Sequence, residues 1–346
     1  MSEQNMYQCT PRQVKAFVTE VIYAGLVPFV QSSPGMGKSS IMRAIAHEEG
    51  LCLIDHRLST SPPEDLSGLP RFNEEGYAEF APFADLFPIA GTEIPAGKNG
   101  WMLFLDEFNS APKTVQAASY KLILDKMVGQ KHLHENVVIC TAGNLATDRA
   151  IVNPISTAMQ SRVVHLMMQI SFEEWLYDVA LPQKYDARII AYLSQYPSKL
   201  MDFRPDHNEK TFCCPRTWEF MNALIKGKPV TADKAALYAG TITSGVAVDF
   251  IQFTAVFATL VGINEILADP ENCRIPQDNS SKWACIAAMM EKITDVSFTG
   301  LATYANRFPL DFRILFYRSC MVSHPTLRQH PAFIRALTEL NRYLNG

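Results

Sequence analysis

The residues able to do chemistry in this chain fall into two short clusters about seventy positions apart. The first is Ser32-Ser33-Pro34-Gly35-Met36-Gly37-Lys38-Ser39-Ser40, between an apolar run, Leu26 to Val30, and a segment of helical spacing, Ser39 to Glu49. A glycine-containing loop between a strand and a helix that opens on Lys-Ser is built to cradle phosphate. Backbone N–H groups and the helix N-terminus meet phosphate oxygens, Lys38 reaches the β- and γ-phosphates, and the Ser39 hydroxyl ligates Mg²⁺. Ser33, Pro34, Gly35, Met36, Gly37 and Ser40 complete the lining. The pattern GxxxxGK[ST] has glycine where this chain has Ser32, a departure that matters only if that position needs positive φ.

The second cluster is Asp106-Glu107, directly after the apolar run Trp101 to Leu105. A buried strand ending on two carboxylates delivers them to the C-terminal edge of an open α/β sheet, where such sheets place ligands. There Asp106 orients the magnesium shell, and Glu107 polarises the attacking water as general base. A second carboxylate at this place argues against a kinase or a GTPase switch. The two clusters predict an ATPase site that takes ATP and Mg²⁺.

The elements needed to position them are legible in the periodicity. Thr10 to Ala24 reads as a helix, and Leu26–Val30, Leu51–Ile54, Trp101–Leu105, Val137–Thr141 and Val163–Met167 read as strands. A helix runs from Pro112 to about Met127. Ser59 to Gly100 is rich in Pro and Gly and reads as one long irregular segment, the kind of length that is usually functional. Strands alternating with helices over residues 10–168 call for a three-layer α/β core with a parallel sheet. After Ser171 the pattern turns helical, with segments at Glu173–Ala180, Asp186–Tyr196, Arg216–Lys226 and Thr231–Gly240, and one buried helix over Phe250–Ile263. The expected division is a nucleotide-binding core over 1–169, a helical lid over 170–250 and a helical C-terminal region over 251–346.

Over roughly residues 10–245 the chain resembles the MoxR branch of the AAA+ ATPases. The resemblance is carried by SSPGMGKSS, DEFNSAPKTVQAASYKLIL, TAGNLATD, AMQSRVVHL, CCPRTWEFMNAL and VTADKAALYAG. Where that family usually reads DEINRAP this chain has DEFNSAP, so Phe108 and Ser110 depart while Asn109 and Ala111-Pro112 are kept. STSPPEDLSGLP is similar to the family's D-L-x-G element at Asp65, Leu66 and Gly68. The resemblance implies three further roles. Asn144 matches the sensor-1 asparagine that positions the attacking water, Arg162 the arginine finger presented to a neighbouring subunit's ATP, and Arg216 the sensor-2 arginine of the lid. It also implies a homo-oligomeric, hexameric ring that remodels or matures a protein substrate, often beside a partner with a von Willebrand factor A domain. The irregular segment would then face a central pore, with Tyr77, Phe80 and Phe83 either gripping a polypeptide or packing the segment against its own domain. Two readings of other classes compete: a nucleic-acid-associated motor or helicase loader, and a nucleotide-gated assembly scaffold with little turnover.

Composition narrows the rest. In 346 residues the net charge is −4, with 48% hydrophobic and 19% charged residues, so no global basic field recruits nucleic acid or anionic lipid. Arginines gather toward the end, at Arg307, Arg313, Arg318, Arg328, Arg335 and Arg342, and read as solvated helix faces or local ion pairs. The eight cysteines have no metal-ligand or CxxC spacing, and His132 and His134 have no third ligand near them and read as surface residues. No apolar signal core opens the N-terminus and no run is long enough to span a bilayer, so the expectation is a cytoplasmic protein.

Overall fold

A computed structural model describes residues 8–83, 86–148, 152–206 and 208–344. The N-terminal residues Met1 to Tyr7, part of the stretch read for a signal, lie outside them, as does the side chain of Arg342. The chain divides into two compact units, Met1–Ile170 and Ser171–Gly346.

The first unit is a parallel six-stranded sheet in the order β1 (Gln8–Cys9), β10 (Val164–Met168), β2 (Pro28–Ser32), β9 (Val137–Asn144), β6 (Gly100–Asp106), β3 (Leu51–Arg57). Helices α1 (Pro11–Tyr23) and α2 (Lys38–Glu48) cover one face. α1 starts in a capping box, with Thr10 Oγ1 accepting from Gln13 N and Gln13 Oε1 from Thr10 N, and Pro11 in the first turn. On the other face α4 (Lys113–Asp125) and the short α5 (Thr157–Gln160) close a core in which Leu103, Leu105, Ile139, Val115, Leu122 and Met159 are buried. The expected three layers are therefore present.

The strand ends differ from the sequence reading in an instructive way. β3 continues through Asp55-His56-Arg57, past the apolar run, because it is the sheet edge and pairs along its whole length with the wholly buried β6. The segment expected to be irregular carries α3 (Pro63–Ser67) and an antiparallel hairpin, β4 (Leu69–Phe72) with β5 (Ala78–Ala81). A second hairpin, β7 (Met127–Val128) with β8 (Lys131–His132), follows α4, which ends where Lys126 turns left-handed. His132 is exposed as expected. His134 is not a free surface group: its Nδ1 accepts from Asn136 N and its ring lies edge-on to Trp101.

The second unit is helical: α6 (Phe172–Trp175) with a π-turn after it, α7 (Ala187–Gln195), α8 (Pro215–Ile225), α9 (Ala235–Ile242), α10 (Ser244–Ala255), α11 (Ile263–Ala268), α12 (Asn279–Met290), α13 (Phe298–Ala305), α14 (Leu310–Ser323) and α15 (Pro331–Leu344). The apolar run Phe250–Ile263 is not one helix. α10 tightens into a 3₁₀ turn at Val256–Thr259, and a new helix starts after Gly262.

Residues 251–346 are tied into the helices that precede them. α12 packs along α7, and Glu291 accepts the Ala187 N–H while Asp186 caps α7 and binds Arg188 through two oxygens. Both helices present buried faces, Ile189, Ile190 and Leu193 on α7 and Ile286, Ala287 and Met289 on α12. A chain ending at residue 255 would expose the α7 face. We expect it to lose cooperative folding of residues 171–255, seen as rapid proteolysis there beside a protected first unit. Protease resistance equal to the full chain would contradict this packing.

Candidate functional site

β2 carries the chain to the sheet's C-terminal edge at Ser32, and α2 begins at Lys38. Between them Gly37 is left-handed at φ +89°, a conformation an L side chain rarely adopts, and a Cβ there would meet nothing within 4 Å. The loop backbone thus stands open in front of the unpaired N–H groups of α2. Ser32, at the consensus glycine position, is the last strand residue and has no positive φ, so the departure costs nothing in backbone.

One strand, β9, separates β2 from β6, and the three C-terminal ends bring the predicted residues together. Lys38 Nζ donates to Ser32 O at 3.0 Å, Ser32 Oγ at 3.1 Å, Asn144 Oδ1 at 3.3 Å and Ser33 O at 3.4 Å. Ser39 Oγ donates to Asp106 Oδ2 at 2.9 Å. A hydroxyl and a carboxylate at one point form an oxygen donor set that fits magnesium, which needs few protein ligands beside phosphate and water. Open loop and oxygen pair together fit a nucleotide polyphosphate with its metal. Among the described residues no cluster of three His, Cys, Asp or Glu offers a separate metal site.

Glu107 follows Asp106 in a left-handed conformation, φ 56°, with its N–H on Asp106 Oδ1 at 2.8 Å. A non-glycine residue held there costs roughly 1–3 kcal/mol and is sustained only where neighbours over-determine it. The turn sends the chain sharply away from β6. The Glu107 carboxylate accepts a hydrogen bond from the Ser59 hydroxyl.

Ser59 and Asn109 were not assigned roles by the sequence. Ser59 lies in a 3₁₀ turn, Leu58–Thr60, after β3, where no motif marks it. The turn is anchored by His56, buried and in contact with Ser61 Oγ, which itself donates to Arg57 O. Burial pushes the His56 pKa below its usual value, although Asp65 and Asp55 act to raise it. Asn109 clamps the end of β9: its Oδ1 accepts from Asn144 N at 3.0 Å and its Nδ2 donates to Asn144 O at 2.7 Å. Asn109 O in turn accepts from Asn153 N at 2.7 Å.

Arg162 is not brought to this cluster. β10 runs parallel to β2 with Val164 opposite Pro28, so Arg162 precedes the N-terminal edge of the sheet, while Lys38 follows the C-terminal edge. Its guanidinium is exposed and donates to Ala158 O at 2.6 Å. Arg216 is exposed in the first turn of α8, in the second unit.

No protein-family model matches the sequence, and no curated protein does. Among solved structures the chain is similar to a candidate ATPase of Cytophaga hutchinsonii, at 12% identity and TM-score 0.36 over 96% of this chain and 88% of that one. It is similar also to the RuvB Holliday junction branch migration motor of Thermotoga maritima, at 13% identity and TM-score 0.35 over 75% and 81%. A third is NtrX of Brucella abortus in complex with ADP, at 12% identity and TM-score 0.35 over 95% and 68%. Likenesses this loose say nothing of activity. The chemistry is carried by the residues of the site.

The Asn109 clamp leaves no room at Gly143, where a Cβ would come within 2.2 Å of Asn109 Oδ1 and 2.9 Å of Phe29 Cε2. Gly143→Ala should cost about 1–3 kcal/mol through forced repacking, lower the melting temperature by several degrees, and reduce nucleotide turnover by displacing Asn144. Thermal melts and steady-state ATPase rates check both effects, and a variant as stable as wild type would contradict the clamp.

Proposed function

We propose that this protein is an ATP-hydrolysing AAA+ motor of the MoxR type, working as a ring to remodel or mature a partner protein complex. The observation that supports it most is the division of functional groups between two edges of one sheet. Lys38, Ser39, Asp106, Glu107 and Asn144 gather at the C-terminal edge, and Arg162 stands exposed beyond the N-terminal edge. An arginine so far from its own nucleotide loop is useful to catalysis only when offered to the site of the next copy, a head-to-tail contact that makes a ring when its rotation closes.

In this reading the loop N–H groups and Lys38 bind the β- and γ-phosphates, and Ser39 with Asp106 would hold Mg²⁺. The ion supplies neutralisation of phosphate charge when bound. Asn144 orients the attacking water, Glu107 takes its proton, and Arg162 of the neighbouring copy stabilises the developing charge. Arg216 reports nucleotide state to the helical unit.

The exposed hairpin β4–β5 supports a polypeptide as the thing remodelled. Tyr77 is 70% exposed and Phe72, which the sequence did not single out, 79%, while Phe80 and Phe83 are partly covered. The arginines toward the chain end favour a protein target over nucleic acid, because four of them are engaged within their own unit. Arg307 binds Pro270 O and Cys273 O, Arg313 binds Glu339, Arg318 binds Glu173, and Arg328 binds Met321 O. A partner with a von Willebrand factor A domain belongs to the same proposal. Among the described residues no helix is long and apolar enough to cross a membrane.

Glu107→Gln should bind ATP·Mg²⁺ in calorimetry and hardly turn it over, whereas Lys38→Ala should lose binding. Arg162→Ala should lower the homogeneous rate by about 10³–10⁵-fold. Mixing Arg162→Ala with Glu107→Gln should restore activity, because about one quarter of randomly mixed sites then hold both intact groups. Co-assembled rings that stay inactive, with mixing shown by two-colour labelling, would remove Arg162 from the site.

A further inference from the structure

Arg57 closes β3, the edge strand, and its side chain is exposed. We propose that it is a further phosphate-binding residue of the same site, contacting the terminal phosphate of a nucleoside triphosphate so that the site distinguishes triphosphate from diphosphate. The inference rests on the ATP reading above.

Two registers place it. Across the sheet, Arg57 is paired with Asp106 of β6. Paired residues of parallel neighbours turn their side chains to the same face, about 4.8 Å apart, which is less than the length of an extended arginine side chain. Along that face, Asp55 lies under α2, where Arg43 Nη2 reaches its Oδ2 at 3.5 Å. Arg57, two residues on, shares the face. α2 joins the C-terminal end of β2 to the N-terminal end of β3, so it runs against the strands. Ser39 stands one helical turn before Arg43, about 6 Å along the helix. Arg57 stands about 7 Å beyond Asp55 along the strand. Arg57 is thus level with Ser39. Both routes end at Ser39 and Asp106, whose side chains meet at 2.9 Å and form the oxygen pair suited to magnesium.

The strand order decides which phosphate is concerned. β2 carries the loop, β9 and β6 follow, and β3 is outermost. Loop N–H groups hold the α- and β-phosphates, and Lys38 reaches the β and the γ. A metal at Ser39 and Asp106 bridges β- and γ-oxygens, so the phosphate chain ends on the side of the acidic strand. Arg57 approaches from beyond that strand, and the terminal phosphate is the group it meets first.

The neighbouring carboxylates have other partners. Arg43 engages Asp55, Asp106 accepts from Ser39 Oγ and the Glu107 N–H, and among the described residues Arg57 makes no ion pair. Its carbonyl accepts from Ser61 Oγ at 2.9 Å and from Thr60 Oγ1 at 3.3 Å, which fixes the backbone at the strand end. An arginine so held offers phosphate oxygens a planar fork of donors. A charged residue on an edge strand also discourages other strands from pairing, but that service is indifferent to what the nucleotide loop holds.

The test is calorimetric titration of wild type, Arg57→Ala and Arg57→Lys with ADP and with a non-hydrolysable ATP analogue, both with Mg²⁺. Arg57→Ala should bind the analogue about ten- to one-hundred-fold more weakly, the scale of one hydrogen bond to a charged group, and bind ADP nearly as wild type does. Arg57→Lys keeps the charge without the fork and should fall between the two for the analogue. A melt without nucleotide confirms folding, and if Arg57→Ala fails to fold the lysine variant carries the same comparison. Unchanged binding of the analogue overturns the proposal. Equal weakening of ADP and the analogue overturns it too, since a damaged loop or a diffuse field would act on both. Wild type that binds neither nucleotide removes the ATP reading itself, an outcome distinct from binding that ignores Arg57.

Discussion

The pair of hydrogen bonds by which Asn109 grips the backbone N–H and C=O of Asn144 is the constraint on which the rest of the site depends. Asn144 ends β9, the strand between the phosphate-loop strand and the acidic strand, in register with Ser32 of β2, and its backbone groups need partners at a partly buried edge. Asn109 satisfies both at once. It reaches that position because Glu107 turns left-handed immediately after Asp106 and throws the chain across the end of β9. The left-handed glutamate, the small residue at Gly143 and the edge-on contact of Phe29 with Phe108 all follow from this crossing.

Behind that clamp the polar groups satisfy one another. Lys38 is shared among Ser32, Ser33 and Asn144, Ser39 sits on Asp106, and Glu107 sits on Ser59. A charge in a partly buried place is costly unless bonded, and each of these charged groups has its bond. The partners are mostly neutral hydroxyls, amides and carbonyls. Such contacts hold geometry yet yield to phosphate or water, since bonds in which both sides carry charge are the stronger ones. Ser39 with Asp106 and Ser59 with Glu107 differ in that the acceptor is a carboxylate, and Asp106 is also the group suited to a metal.

Much of this was legible in the sequence because local patterns encode it. The strand, loop and helix around Gly35, Gly37 and Lys38 carry their own periodicity and punctuation, and β6 is so uniformly apolar that only a doubly covered central strand suits it. Ser59 was hidden for the opposite reason: it meets Glu107 across 48 positions, from a polar turn with no periodic signal. The extension of β3 through Asp55 and Arg57 was hidden because an edge strand tolerates polar residues that read as its end. The hairpin β4–β5 defeated the reading through its mixture of exposed aromatics and charges, which lacks the clean alternation of a half-buried sheet. In the helical unit, Phe250 to Ile263 is mostly apolar, broken only by Gln252, Thr254 and Thr259, and hydrophobicity alone does not distinguish one helix from a helix, a 3₁₀ turn and a break at Gly262.

The register of the sheet also decides what Arg162 is able to do. Parallel strands paired by backbone hydrogen bonds do not slip by a residue without turning buried side chains outward, so the pairing of Val164 with Pro28 is a fixed distance as well as a topology. β2 advances four residues from that pair to Ser32, whose oxygens meet Lys38, about 13 Å at the usual rise per residue. That exceeds the span of one side chain. No rotamer change and no bending of a loop brings the Arg162 guanidinium to its own Lys38, and only a rearrangement of the sheet would. Within its own unit the Arg162 guanidinium serves Ala158 O and not Lys38. The rigidity that holds Lys38, Asp106 and Asn144 together at one edge is the same rigidity that withholds the arginine from them.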